Sequence, residues 1–194
     1  MPASVAEVLG DLSRALRALR ITWYVFGAQA LVLRGFPRAT ADLDVTVLLG
    51  TMPTTRLVTE LGKRGFSPAF QDAAFVATTR VLPVVHKSTG LPVDIVLGGP
   101  GLEEHFASAA ERVKVGRLFV PVATANHLVV MKVLAGRPKD IEDAASLLAD
   151  RAGRIDAKEI EDLTRSLSSA LGEDDVLVHL AEARKRAVRL RRHK

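Results

Sequence analysis

The stretch TADLDVTVLL, residues 40–49, alternates between two chemistries. Successive side chains of an extended chain leave opposite faces, so Ala41, Leu43, Val45, Val47 and Leu49 form one apolar stripe while Asp42, Asp44 and Thr46 share the other. Such a strand belongs in a sheet with one covered face and one polar face. Two acids on one side of a strand repel each other, and the aliphatic residues around them exclude the water that would screen them. Two readings meet this cost. The acids are solvated charges protecting a sheet edge, or they hold a cation between them. Residues two apart on a strand are roughly 6.5–7 Å apart at Cα, so their carboxylates can converge on one divalent ion or on two ions about 3.5–4 Å apart. LPVDIVL, residues 91–97, repeats the alternation around Asp94. If the two strands are neighbours, about 4.8 Å apart, Asp94 supplies a third carboxylate and favours the cation reading. Oxygen donors without histidine or cysteine suit magnesium or manganese better than zinc.

The rest of the chain predicts a mixed α/β fold. SVAEVLGDLSRALRALR has helical periodicity and opens with Ser4 and Glu7 at capping-box spacing. ITWYVF reads as a strand ending at Gly27, followed by a short helix through QALVLRG. A basic loop, RGFPRAT, leads into the acidic strand. Next come a helix over TTRLVTELGKRG, a strand near Phe75–Thr78, and two β-rich runs, RVLPVVHK and LPVDIVLG, with Ser88, Thr89 and Gly90 as a hairpin turn. Leu102, Phe106, Ala109 and Val113 fall at helical spacing. After a β-like run, GRLFVPVA, the pattern is almost purely helical: Thr124 caps ANHLVVMKVLAG, KDIEDAASLLAD follows, and further helices start near Asp156 and Asp174. The expected organisation is an α/β core over residues 1–122 and a helical region over 123–194.

Bulk properties limit the functions available. The chain has 194 residues, 48% hydrophobic and 25% charged, enough for one good core with a helical appendage. Its formal net charge of +5 suits a polyanionic partner such as a nucleoside triphosphate or a nucleic acid. With no cysteine, disulfides and thiolate metal sites are excluded. No apolar run reaches the roughly 18 residues a membrane span requires, and no secretory apolar segment opens the chain, so a cytoplasmic protein without a membrane partner is expected.

FGA at residues 26–28, thirteen intervening residues, DLDV and the later VDI together resemble the pattern of polymerase-beta-type nucleotidyltransferases. In that pattern a hydrophobic residue and Gly-Ser or Gly-Gly precede two acids one residue apart and a third acid between hydrophobics. The chain is most similar to the minimal nucleotidyltransferases of the AbiEii-like branch found in toxin-antitoxin and phage-defence systems, over about residues 20–150. The resemblance implies a small mixed β-sheet nucleotidyltransferase core flanked by helices, with the C-terminal helical region completing the active-site cleft. It implies that Asp42, Asp44 and Asp94 hold Mg2+ or Mn2+, with Asp94 also helping to deprotonate an attacking hydroxyl. Gly27 and Ala28 would shape the turn around the triphosphate of an NTP substrate. Ala28 departs from the pattern: a backbone donor survives there, and a serine hydroxyl on the phosphate is lost.

Lys132 sits in a helix that is apolar almost all round, where a lysine must snorkel or meet an anion. The anion is a triphosphate, or one of Asp140 and Asp143, three residues apart on a helix face. The segment from Lys132 through RPKDIED resembles the lysine and aspartate segment downstream of the AbiEii-like core, which implies nucleotide-binding or catalytic roles for Lys132 and Asp143. Arg38 and Thr40, just before the acids, are candidate phosphate or acceptor contacts, and Arg34 is a weaker one. The histidines show no ligand spacing, and Trp23 reads as core. The basic end, ARKRAVRLRRHK, either grips an RNA backbone or is a solvated helix terminus.

These observations carry one leading expectation, a magnesium-dependent nucleotidyltransferase acting on tRNA as the toxin-like component of a toxin-antitoxin pair, with a cognate antitoxin as partner. Its alternatives are an antitoxin-type enzyme modifying a partner toxin protein, an antibiotic nucleotidyltransferase, and a catalytically silent binding module.

Overall fold

The acidic strand runs through the middle of a seven-stranded mixed sheet in the computed structural model, which describes residues 3–70, 72–150 and 154–192. The chain divides into two compact units, Met1–Ala123 and Thr124–Lys194. The first contains α1 (Ala3–Ala18), β1 (Thr22–Phe26), α2 (Gly27–Leu33), β2 (Leu43–Leu48), α3 (Thr54–Gly62), β3 (Phe66–Pro68), α4 (Ala73–Thr79), β4 (Val81–His86), β5 (Pro92–Leu97), α5 (Leu102–Ser108), β6 (Glu111–Val115) and β7 (Leu118–Val122). The strand order is β3-β4-β5-β2-β1-β7-β6. β2 pairs parallel with β5 and antiparallel with β1, while β7 joins the other side of β1 in parallel.

Alternation decides which face is core. Leu43, Val45 and Val47 are fully buried, as are Val93 and Ile95 beside them on β5. α1 supplies Val8, Leu9, Leu12 and Leu16, all without solvent exposure and at helical spacing. Each such side chain contributes about 1.5–3 kcal/mol on leaving water. On the opposite face Tyr24 and Thr46 stand side by side in register. Desolvation pushes the Tyr24 phenol up to about 12.

Several local expectations are corrected. Phe75–Thr78 lies in the helix α4, because Asp72 caps it by accepting the Phe75 N–H at 2.9 Å. Val113 belongs to the strand β6, since α5 stops at Ser108. β3 is an element with no strong signal of its own, recruited by pairing with β4. Ser4 lies inside α1, and Glu7 accepts the Ser88 hydroxyl at 2.6 Å.

The second unit packs α6 (Ala125–Ala135), α7 (Pro138–Leu148), α8 (Ala157–Leu171) and α9 (Asp175–Arg192), with α6 touching all three others. That position explains its nearly unbroken apolar sequence. Thr124 caps α6 through the His127 N–H, and Asp156 caps α8 through Lys158 and Glu159. No helix among the described residues is long and apolar enough to cross a membrane.

Candidate metal centre

The parallel pairing of β2 with β5 sets Asp44 directly opposite Asp94. Both side chains therefore leave the sheet on the face away from Val45 and Ile95. Asp42 is not on the strand, which begins at Leu43; it sits in the bend leading in. From there its Oδ1 accepts the Thr40 hydroxyl at 2.6 Å. One oxygen from each of Asp42, Asp44 and Asp94 lies within 4.8 Å of the others. Asp42 is exposed, and Asp44 and Asp94 are half-buried. Desolvation, with the Asp42 charge second, holds the Asp94 carboxyl above its ordinary value. Three convergent carboxylates, one resisting ionisation, form a hard oxygen donor set that fits magnesium or manganese.

Gly27 packs against this cluster. It has φ +67, and a Cβ built on it would lie 1.9 Å from Asp44 Oδ2 and 2.7 Å from its Cγ. The glycine is thus required twice, by its left-handed backbone and by the carboxylate occupying the space of a side chain. Its hydrophobic predecessor, Phe26, pairs with Asp44 across β1 and β2. Ala28 follows in the first turn of α2, and Arg38 is half-buried in the loop before Thr40.

Arg34 and Lys132 have partners of their own. Arg34 donates to Ala123 O at 2.6 Å and Val122 O at 3.2 Å and pairs with Glu111 at 2.7 Å, so it ties α2 to the β6–β7 hairpin. Lys132 is buried in the second unit, 2.7 Å from Asp140 Oδ1 and 3.0 Å from Asp143 Oδ2, and Arg137 is the other partner of Asp140. Both carboxylates named as partners for Lys132 from the sequence, Asp140 and Asp143, therefore meet it. Burial works against the Asp140 carboxylate, but the Arg137 and Lys132 hydrogen bonds outweigh it and hold the group below its ordinary value. Glu7, Asp11 and His86 also converge within 4.8 Å. There His86 meets Thr89 at 2.9 Å and Asp11 at 3.3 Å, and Arg14 pairs with Asp11 at 2.6 Å, a self-satisfied polar cluster.

Thr40, read from the sequence as a candidate phosphate or acceptor contact, also donates to Asp42, a bond the sequence reading did not name. The two-residue spacing, typical of local hydroxyl-to-carboxylate contacts at bends, was the available signal. Sequence reasoning also treated Gly27 as a turn and a phosphate approach, whereas its contact with Asp44 spans two strands.

No family model matches the sequence, and no curated protein does. Solved structures do match. The antibiotic-resistance factor ANT(2″)-Ia in solution aligns over 100% of this chain and 98% of its own, at 14% identity and a TM-score of 0.53. The crystal structure of ANT(2″)-Ia with adenylyl-2″-tobramycin aligns over 95% and 99%, at 14% identity and 0.53. An antigenic nucleotidyltransferase-like protein from Paracoccidioides brasiliensis aligns over 92% and 91%, at 18% identity and 0.53. At these identities the likeness is one of fold: the chain has the nucleotidyltransferase fold.

Proposed function

We propose that this chain is a metal-dependent nucleotidyltransferase that moves NMP from an NTP to an acceptor hydroxyl and releases pyrophosphate. The observation that carries the reading is the convergence of Asp42, Asp44 and Asp94 within 4.8 Å beside the glycine that opens α2. Magnesium or manganese bound there would neutralise charge on the entering and leaving oxygens of an in-line displacement. The protein's own part is to fix the ligands beforehand: Thr40 orients Asp42, and Gly27 leaves the space that Asp44 fills. Asp94, opposite Asp44 on β5, is the carboxylate to which the resemblance assigns the proton of the acceptor hydroxyl. Gly27 and Ala28 present the first turn of α2 to the triphosphate, and Arg38 adds positive charge. Asp143 enters by resemblance, and Lys132 by resemblance and by its place in an apolar helix, with their ion pair as the competing account.

The acceptor we favour is tRNA, with the chain acting as the toxin-like member of an AbiEii-like toxin-antitoxin pair. The support is the resemblance together with the net charge of +5. A small hydroxylated acceptor is the second reading, favoured by the adenylylated tobramycin bound to a protein of the same fold. Purified protein incubated with each α-labelled NTP, Mg2+ or Mn2+, and either total tRNA or tobramycin, beside an Asp42→Ala, Asp44→Ala control, separates them. Label on RNA made only by the intact protein supports the first reading, and label on tobramycin the second. Metal-dependent NTP binding without transfer to either moves the acceptor to a partner protein. Loss of NTP and metal binding together refutes the enzyme reading and leaves a silent module.

A further inference from the structure

The first unit carries a recess on the sheet face opposite the three acids. Leu97 lies three residues beyond Asp94 on β5, so the two side chains leave opposite faces. Leu82 pairs with neither acid but stands opposite Ile95, on the Leu97 side. Over these leucines α3, α4 and the end of β3 leave a cavity of about 600 Å3, walled by Val58, Phe70, Val76 and Ala77. Polar residues line it at few places: Thr54, Thr55 and Thr59 along α3, Asp72 at the start of α4 and Arg80 at its end. This size and chemistry, mostly apolar with a few fixed polar groups, is that of small-molecule sites.

The α4 wall is built unlike the other helices of the unit. It has the sequence AAFVATT, yet none of its residues is buried. Phe70 and Phe75 meet edge-on at 5.0 Å with 46% and 36% of their surfaces in solvent. What fixes the end of α4 is Arg80, a non-glycine residue held at φ 56, whose Nε donates to Leu97 O at 2.8 Å and Nη2 to Gly98 O at 3.3 Å. That strained conformation holds a guanidinium at the cavity wall with Nη1 unbonded to protein among the described residues. Asp72, by contrast, has one oxygen engaged in capping α4.

We propose that this cavity is a second ligand site, separate from the acid cluster, for a mainly apolar organic anion of about 20 non-hydrogen atoms. Its acidic group meets Arg80, and its apolar body lies between α3 and α4. The site is independent of the nucleotidyltransferase reading. The test titrates the full-length protein with 1-anilinonaphthalene-8-sulfonate and with its neutral analogue N-phenyl-1-naphthylamine, following fluorescence and methyl chemical shifts. Saturable binding is expected, with shifts concentrated on Val58, Val76, Leu82 and Leu97 and absent from the exposed Leu171 and Val178 of the second unit. Ala77→Trp, which fills the cavity, should weaken both probes at least about tenfold. Arg80→Asn keeps a residue type that tolerates the left-handed backbone, and should weaken the anionic probe about tenfold while sparing the neutral one. Non-saturable binding, or shifts spread over exposed apolar residues, overturns the site. Equal loss of both probes in Arg80→Asn overturns the anion assignment. Should Ala77→Trp fail to fold, the methyl map of the unmodified chain decides the question.

Discussion

Replacing Gly27 by alanine is expected to damage both the fold and the metal centre, and the two effects can be separated. The new Cβ would sit 1.9 Å from Asp44 Oδ2, 2.7 Å from Cγ and 2.9 Å from Cβ. To regain ordinary contact the carboxylate oxygen must withdraw by roughly 1–1.5 Å. Metal ligands tolerate about 0.2 Å, so Mn2+ binding should be lost or severely weakened. In stability, alanine at φ +67 costs about 1–2 kcal/mol and the overpacking about 1–3 kcal/mol more. In an Asp44→Ala background the carboxylate atoms are gone and mainly the backbone cost remains, so the cycle should show a coupling of roughly 1–3 kcal/mol. Urea unfolding of the four proteins measures the coupling, and Mn2+ titration measures the site. An equal cost of Gly27→Ala in both backgrounds, or wild-type Mn2+ affinity in Gly27→Ala, would refute the assignment of this glycine to Asp44.

Thr40→Val should lower Mn2+ affinity by about 10–100-fold while Thr40→Ser largely restores it, because the hydroxyl at 2.6 Å orients Asp42; equal affinities in calorimetry would reject that role. Asp94→Asn should raise the melting temperature of the metal-free protein at neutral pH while abolishing Mn2+ binding, since ionised Asp94 opposes folding there; a lower melting temperature contradicts the raised proton affinity. Arg34→Met should cost about 2–3 kcal/mol in urea unfolding through the lost bonds to Val122 and Ala123, and a change below about 0.5 kcal/mol would show that the tie is idle. Asp140 has a lowered value in the fold, so its contribution is present above the ordinary aspartate value and lost as pH falls through the folded one. Acid titration of stability should therefore be flatter in Asp140→Asn, and an unchanged acid limb would count against the network.

The alternation over Leu43–Leu48 and Pro92–Leu97 already told which side of each strand is core, because a period of two is a property of the extended backbone itself, whereas Ala41 and Asp42 lie in the bend before it. Thr124 and Asp156 likewise announced helices, since a cap acts over only two or three residues. The strand expected at Phe75–Thr78 failed for the converse reason: aromatic and β-branched composition was a weaker signal than the local cap of Asp72. What the chain could not reveal locally is everything that joins distant segments. That Asp44 faces Asp94, fifty positions later, depends on β5 adding in parallel beside β2 rather than at another edge. That Gly27 lies under Asp44, and that Lys132 meets both Asp140 and Asp143, follow from packing between elements. Residue type and period therefore determined the acid face and its donor chemistry. Only the tertiary structure decided that three acids share one place, because strand order and register are set by long-range burial that no local window contains.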